Sequence, residues 1–309
     1  MPKILLVDID SRIPNLALHK LKTYHEQRGD RVVWAKDRDL LQEAGVDRIY
    51  VSCVFIANKH KAAEWEGLAT IGGSGYDLSV ALPAEIAAVK PHINLGFTTR
   101  GCIRKCPFCI VPEKEGGICI VGDLLDLWNG NIRQGKITVL DNNILAVPEH
   151  FKLICQQARD NHLLVDFNQG LDHRLLTPDI VADMVSIRHR EYRFAYDRHF
   201  YEGTVVRALK LLKKNKITRS FWYVLVGYDT TYAEDMYRLE LLRKWNQTVF
   251  VQRYIKTRGN LLLARWANQH AVFKGMTFSE FLAIDRNAAY YVKYRAEIDE
   301  YLTQTGGGK

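Results

Sequence analysis

GFTTRGCIRKCPFCIVP, Gly96 to Pro112, places Cys102, Cys106 and Cys109 within eight residues at the spacing Cys-x3-Cys-x2-Cys. Thiolate sulfur is the preferred ligand of iron–sulfur clusters and of zinc. A structural zinc site is normally closed by four protein ligands, most often as two paired knuckles. No second Cys-x2-Cys follows here, and His92 stands on the far side of an expected strand. Three thiolates with no obvious fourth suit a cubane cluster that keeps one iron open. The other cysteines are scattered. Cys53 sits in an apolar strand and Cys155 on an amphipathic helix, and Cys119 lies beyond the cluster loop. Clustered thiols of this kind suggest a metal in a reducing compartment, whereas a small secreted chain would show a dense disulfide framework.

Outward from this segment the chain alternates strand and helix. INLGFTT (Ile93–Thr99) leads straight into the cysteines. The next apolar runs are KITVLD (Lys136–Asp141), LLVDFN (Leu163–Asn168), YRFAYD (Tyr192–Asp197), SFWYVLVGY (Ser220–Tyr228) and TVFVQRY (Thr248–Tyr254). Stretches of helical period separate them at Glu149–Asn161, Pro178–Val185, Thr204–Asn215 and Tyr232–Trp245. This pattern predicts a partial (β/α)6 barrel of parallel strands over residues 91–258. In such barrels the chemistry lies at the C-terminal strand ends. Polar residues stand there: Asp141-Asn142-Asn143, Asn168-Gln169, Asp197-Arg198 and Tyr228-Asp229.

Residues 1–90 predict a smaller Rossmann-like parallel α/β domain. KILLVDID (Lys3–Asp10) is a continuous apolar run ending in acids, as a strand buried on both faces reads. Helical spacing follows from Pro14 to Tyr24, with a stop at Gly29-Asp30 and further strands at Arg31–Ala35 and Arg48–Phe55. IGGSGYD (Ile71–Asp77) lacks the Walker lysine and is in the wrong place for a dinucleotide fingerprint, so it reads as a linker turn near a domain boundary. Residues 259–309 read as a helical C-terminal region with a frayed Gly-Gly-Gly-Lys end. The net charge of +8 favours anionic partners, nucleic acid among them. No apolar run spans a bilayer and no signal-peptide pattern opens the chain, which leads us to expect a cytoplasmic protein with no membrane partner.

The cysteine segment resembles the defining motif of the radical S-adenosylmethionine superfamily, and the likeness covers about Ile93 to Tyr254. The resemblance implies a [4Fe–4S] cluster on Cys102, Cys106 and Cys109, whose fourth iron chelates S-adenosylmethionine. Reductive cleavage would then give methionine and a 5′-deoxyadenosyl radical that abstracts hydrogen from a substrate the sequence does not identify. An electron donor such as flavodoxin or ferredoxin is implied as a partner. Phe108 matches the aromatic residue that lies near the adenine. Asp141 and Asn142 match an Asp-Asn variant of the segment that holds the methionine ammonium. Gln169, Arg174, Asp197 and Arg198 fall where ribose and carboxylate contacts are made, and Gly227, with Val226, falls where a turn approaches the adenine. The first domain resembles the cobalamin-binding-like unit found ahead of many such barrels. Its Asp-x-His-x-x-Gly motif is absent, since Asp8-Ile9-Asp10-Ser11 offers no histidine, so cobalamin is not expected. Two alternatives stay open: a cobalamin-dependent radical methyltransferase, and a non-catalytic metal-cluster protein that binds nucleic acid.

Overall fold

The computed structural model describes residues 1–35, 45–131, 133 and 135–293. The expected frayed tail lies outside the described residues. The chain divides into two compact units, Met1–Asn142 and Asn143–Lys309. Both are α/β, and among the described residues every strand pairing but one is parallel.

The first unit runs β1 (Lys3–Asp8), α1 (Leu16–Gln27), β2 (Arg31–Ala35), β3 (Arg48–Ser52), α2 (Lys59–Ala63), β4 (Thr70–Gly72) and α3 (Ala84–Ala87). It continues through β5 (Leu95–Gly96), β6 (Thr99–Arg100), α4 (Val111–Lys114), β7 (Cys119–Ile120), α5 (Leu124–Leu127) and β8 (Lys136–Val139). The first four strands form a parallel sheet in the order β2-β1-β3-β4, with Leu5 opposite Val33 on one side and Ile49 on the other. β1 is central, which explains its unbroken apolar run. Leu5 and Val7 pack with Val51, Cys53, Ala62, Trp65 and Ile71, while Ile4 and Leu6 pack with Leu18, Leu21 and Ile86. Successive side chains thus enter opposite cores, as the two-residue strand period demands, each contributing about 1.5–3 kcal/mol of burial. Asn15 caps α1 by accepting from the Leu18 N–H, and its amide donates to Ser52 Oγ at 2.9 Å, which ties the helix start to the end of β3.

The glycine-rich turn is no linker. It closes β4 onto the exit of β3, deep in the first unit. A Cβ on Gly73, whose φ is +102°, would lie 2.2 Å from the Cys53 carbonyl oxygen, and one on Gly75 would lie 2.4 Å from the Phe55 carbonyl carbon. Only bare backbone passes there, and Gly75 N–H donates to the Cys53 carbonyl at 3.0 Å.

The second unit runs α6 (Pro148–Asp160), β9 (Leu164–Phe167), α7 (Pro178–Val185), β10 (Arg188–His189), β11 (Arg193–Ala195), α8 (Glu202–Lys214), β12 (Phe221–Val226), α9 (Tyr232–Lys244) and β13 (Thr248–Arg253). Among the described residues four helices follow: α10 (Arg258–Ala267), α11 (His270–Gly275), α12 (Phe278–Leu282) and α13 (Asp285–Lys293). β9 pairs with β10, and β11-β12-β13 form a parallel sheet in that order. Trp222, Val224 and Val226 alternate inward along β12. At the sheet's edge, Asn268 accepts from the Val251 N–H at 2.6 Å and donates to its carbonyl at 3.4 Å, so one side-chain amide stands in for a further strand. Among the described residues no helix is long and apolar enough to cross a membrane.

Candidate metal centre and strand-end site

The cysteines occupy a loop of the first unit that is closed at its base. β5 pairs with β8 in parallel, and β6 pairs with β7 antiparallel, with Arg100 opposite Cys119. Just above this pair the two arms touch. Gly101, at φ +77°, has the Gly117 carbonyl oxygen 2.2 Å from where a Cβ would stand, and Cys102 N–H donates to the Gly116 carbonyl at 3.2 Å. Glu115 fastens the same point. Its carboxylate accepts from Arg100 Nη2 at 2.8 Å, from Gly101 N–H at 3.2 Å and from Asn142 Nδ2 at 2.6 Å. The Arg100 guanidinium also lies 4.3 Å over the Phe97 ring. α4, on the returning arm, carries Lys114, which donates to Ser74 Oγ of the glycine-rich turn; burial pushes its ammonium below the usual lysine range.

Within the loop, Arg104 N–H donates to Cys102 Sγ at 3.3 Å. Cys109 N–H donates to the Cys106 carbonyl at 3.0 Å, so the Cys-x2-Cys segment is one turn. Cys102, Cys106 and Phe108 are half-buried, and Cys109 is exposed. Among the described residues no group of three or more His, Cys, Asp or Glu side chains is arranged to hold a metal ion. The donor chemistry nevertheless fits iron and sulfide: three soft thiols on one loop held shut at its base.

Asp141 and Asn142 follow β8. Asp141 is buried, and both its oxygens are engaged: the Thr98 N–H donates at 2.6 Å, the Thr98 hydroxyl at 2.5 Å and the Thr99 hydroxyl at 2.9 Å. Burial raises its carboxyl against the pull of these donors. Asp141 therefore holds the strand entering the cysteine loop, while half-buried Asn142 reaches the loop's exit through Glu115.

The remaining sequence candidates belong to the second unit. Gln169 is exposed on the turn after β9, whose Gly170, at φ +94°, packs a Cβ position 3.3 Å from the Arg193 carbonyl oxygen. Arg174 grips Asp172 with two contacts, Nε at 2.6 Å and Nη2 at 3.0 Å, and lies 4.7 Å over the Tyr201 ring. Asp197, just past β11, accepts from the Leu225 N–H at 3.3 Å. Burial raises its carboxyl, while the charges of Arg238, Arg174 and Arg198 and the Leu225 N–H pull it down. Arg198 lies 3.5 Å from the Asp229 carboxylate. Gly227, at φ +73°, donates its N–H to Asp235 at 2.9 Å. Arg174, Asp197, Arg198 and Gly227 are thus gathered around the ends of β11 and β12.

What ties the ends of β11 and β12 together escaped the sequence reading. Asp235 and Arg238, one turn apart on α9, are wholly buried and paired. Arg238 donates to the Tyr196 carbonyl beyond β11 and, at 2.7 Å, to the Leu225 carbonyl of β12. Asp235 takes the Gly227 N–H and, at 2.6 Å, the Thr230 hydroxyl. Glu115 escaped it too. Its one sequence signal is an acid set against Gly116-Gly117 where the cysteine loop returns. A scan against protein-family models found no match, and a search of curated proteins found none.

Proposed function

We propose that this chain is a radical S-adenosylmethionine enzyme that carries a [4Fe–4S] cluster on Cys102, Cys106 and Cys109. The observation that supports it is the cysteine loop: three thiols within eight residues on an arm pinched at Gly101 and Gly117 and fastened by Glu115. A partial barrel behind a cobalamin-binding-like unit is the finer fold this reading implies. The cluster would supply the electron that cleaves the sulfonium. The protein's part is to bind and orient. Asn142 gives its amide nitrogen to Glu115, which leaves its carbonyl oxygen to accept from the methionine ammonium, and the Glu115 carboxylate adds a negative charge beside it. Phe108, Gln169, Arg174, Asp197, Arg198 and Gly227 are the positions at which nucleoside and carboxylate contacts are to be sought, Arg198 being a guanidinium suited to a carboxylate.

The first unit lacks the cobalt-ligating histidine motif, and this reading places no cobalamin there. In its sheet β1 is the strand from which the connections depart in opposite directions, the place where α/β sheets bind ligands. There the Asp10 carboxylate accepts from the Val54 N–H at 2.7 Å, the Phe55 N–H at 3.0 Å and Asn58 Nδ2 at 3.1 Å, and Gly73 and Gly75 press on the next loop. Protein isolated from a cobalamin-replete host should carry no corrinoid absorbance, and a stoichiometric corrinoid would overturn this.

The deciding experiment is anaerobic reconstitution. It should give about four irons per chain, and dithionite with S-adenosylmethionine should release 5′-deoxyadenosine. Zinc in place of iron, with no cleavage, would sink the proposal. Asn142→Ala and Arg198→Ala should each weaken S-adenosylmethionine binding by about ten- to a hundredfold, the loss of one charge-assisted contact, while iron content stays intact. Isothermal titration of the reconstituted variants measures this, and unchanged affinity in both would remove these residues from the site.

A further inference from the structure

Arginine and aromatic side chains alternate along the C-terminal ends of the second unit's strands. Arg174, after β9, lies 4.7 Å over Tyr201, whose ring centroid is 4.5 Å from that of Phe200. Phe200 in turn faces Arg198 at 5.5 Å, and Arg198 lies 5.7 Å from the Tyr228 ring, after β12. Tyr228 meets Tyr254, after β13, at 4.8 Å. The row thus joins loops of four strands that are distant in sequence. Two of its four rings are open: Phe200 is 67% and Tyr254 54% exposed. Cations flank Tyr254, half-buried Arg253 before it and exposed Lys256 after it. Open rings and cations brought together at the strand ends are the elements of a base-stacking surface.

We infer that this row binds single-stranded nucleic acid, with unpaired bases stacked on Phe200 and Tyr254 and the sugar–phosphate backbone on Arg253 and Lys256. The chemistry selects that partner. A base presents a flat π-face to a ring whatever its identity, and phosphates need cations at intervals between the stacking positions. A duplex hides its base faces. An acidic peptide would engage the cations and leave the open rings unused. The net charge of +8 provides long-range attraction for the same partner. As a binding surface the row stands alone; as the substrate class of the enzyme it rests on the radical S-adenosylmethionine reading.

The test uses the full chain and a fluorescein-labelled strand of about 15 nucleotides, as RNA and as DNA, read by anisotropy at several salt concentrations. Single strands should bind more tightly than the matching duplex and than polyglutamate of equal charge, with affinity falling as salt rises. Phe200→Ala and Tyr254→Ala should each weaken binding about tenfold, whereas Tyr254→Phe, which keeps the ring, should stay within about twofold of the parent. Circular dichroism confirms that the variants fold, as the exposure of both rings leads one to expect. No binding at low salt, equal binding of polyglutamate, or ring variants that bind like the parent would each overturn the inference. Cys106→Ala, which lacks the cluster ligand, should still bind the strand. Strand binding in a protein that reconstitutes no iron would overturn the enzyme reading and leave the surface standing.

Discussion

Cys102→Ala, Cys106→Ala and Cys109→Ala are each expected to abolish cluster assembly, with iron and sulfide near zero after anaerobic reconstitution and the visible charge-transfer absorbance gone. Three thiolates would hold three irons, so none is spare. The other cysteines offer no replacement. Burial, with the Asp10 carboxylate beside it, pushes the Cys53 thiol up to about 11, and burial pushes Cys155 up to about 12. Both sit in cores as neutral thiols, and a thiol that resists ionisation makes a poor metal ligand. Cys119 is exposed, but its backbone is held opposite Arg100 at the base of the loop. Cys53→Ala, Cys119→Ala and Cys155→Ala should therefore keep the parent's iron content. Equal iron loss from these three would overturn the assignment of the ligands.

Arg238→Ala should give the largest loss of stability among single substitutions outside the apolar cores, about 3–5 kcal/mol, because it strands the Asp235 charge in the interior. Thermal unfolding would read this as a drop on the order of 10 °C for a unit of this size. Replacing a buried ion pair by apolar residues is often neutral. Here it should not be, because the pair also serves the backbone. Without it the Tyr196 and Leu225 carbonyls and the Gly227 N–H lose their partners in a dry interior. The double variant Arg238→Met with Asp235→Leu should accordingly remain well below the parent. A melting temperature within about 2 °C of the parent for either protein would show that the strand ends hold themselves without the pair.

Asp141 and Arg174 illustrate the distance between a residue's type and its use. Each was singled out as a polar group past a strand, and each does stand there. The strand was legible because its apolar run is, and the residue after it follows by counting. The company each keeps was not. Thr98 and Thr99 reach Asp141 from more than forty residues away, and Tyr201 lies under Arg174 from a loop that follows another strand. Hydrogen-bond partners of that kind leave no local trace in composition or period.

The amino-acid sequence by itself determined the α/β class and the place of the long strands. KILLVD read as a parallel strand buried on both faces because its apolar run is unbroken, FWYVLV as a strand from its apolar run, and Pro178–Val185 as a helix from its period. It also determined the three clustered thiols, since their spacing is itself the signal. Only the tertiary structure decided the strand order β2-β1-β3-β4, the two-residue strands β6, β7 and β10, and the closing of the cysteine loop at Gly101 and Glu115. The same holds for the buried Asp235–Arg238 pair and the row from Arg174 to Tyr254. Periodicity reports which way a side chain faces along its own element, whereas these features depend on which distant element it then meets.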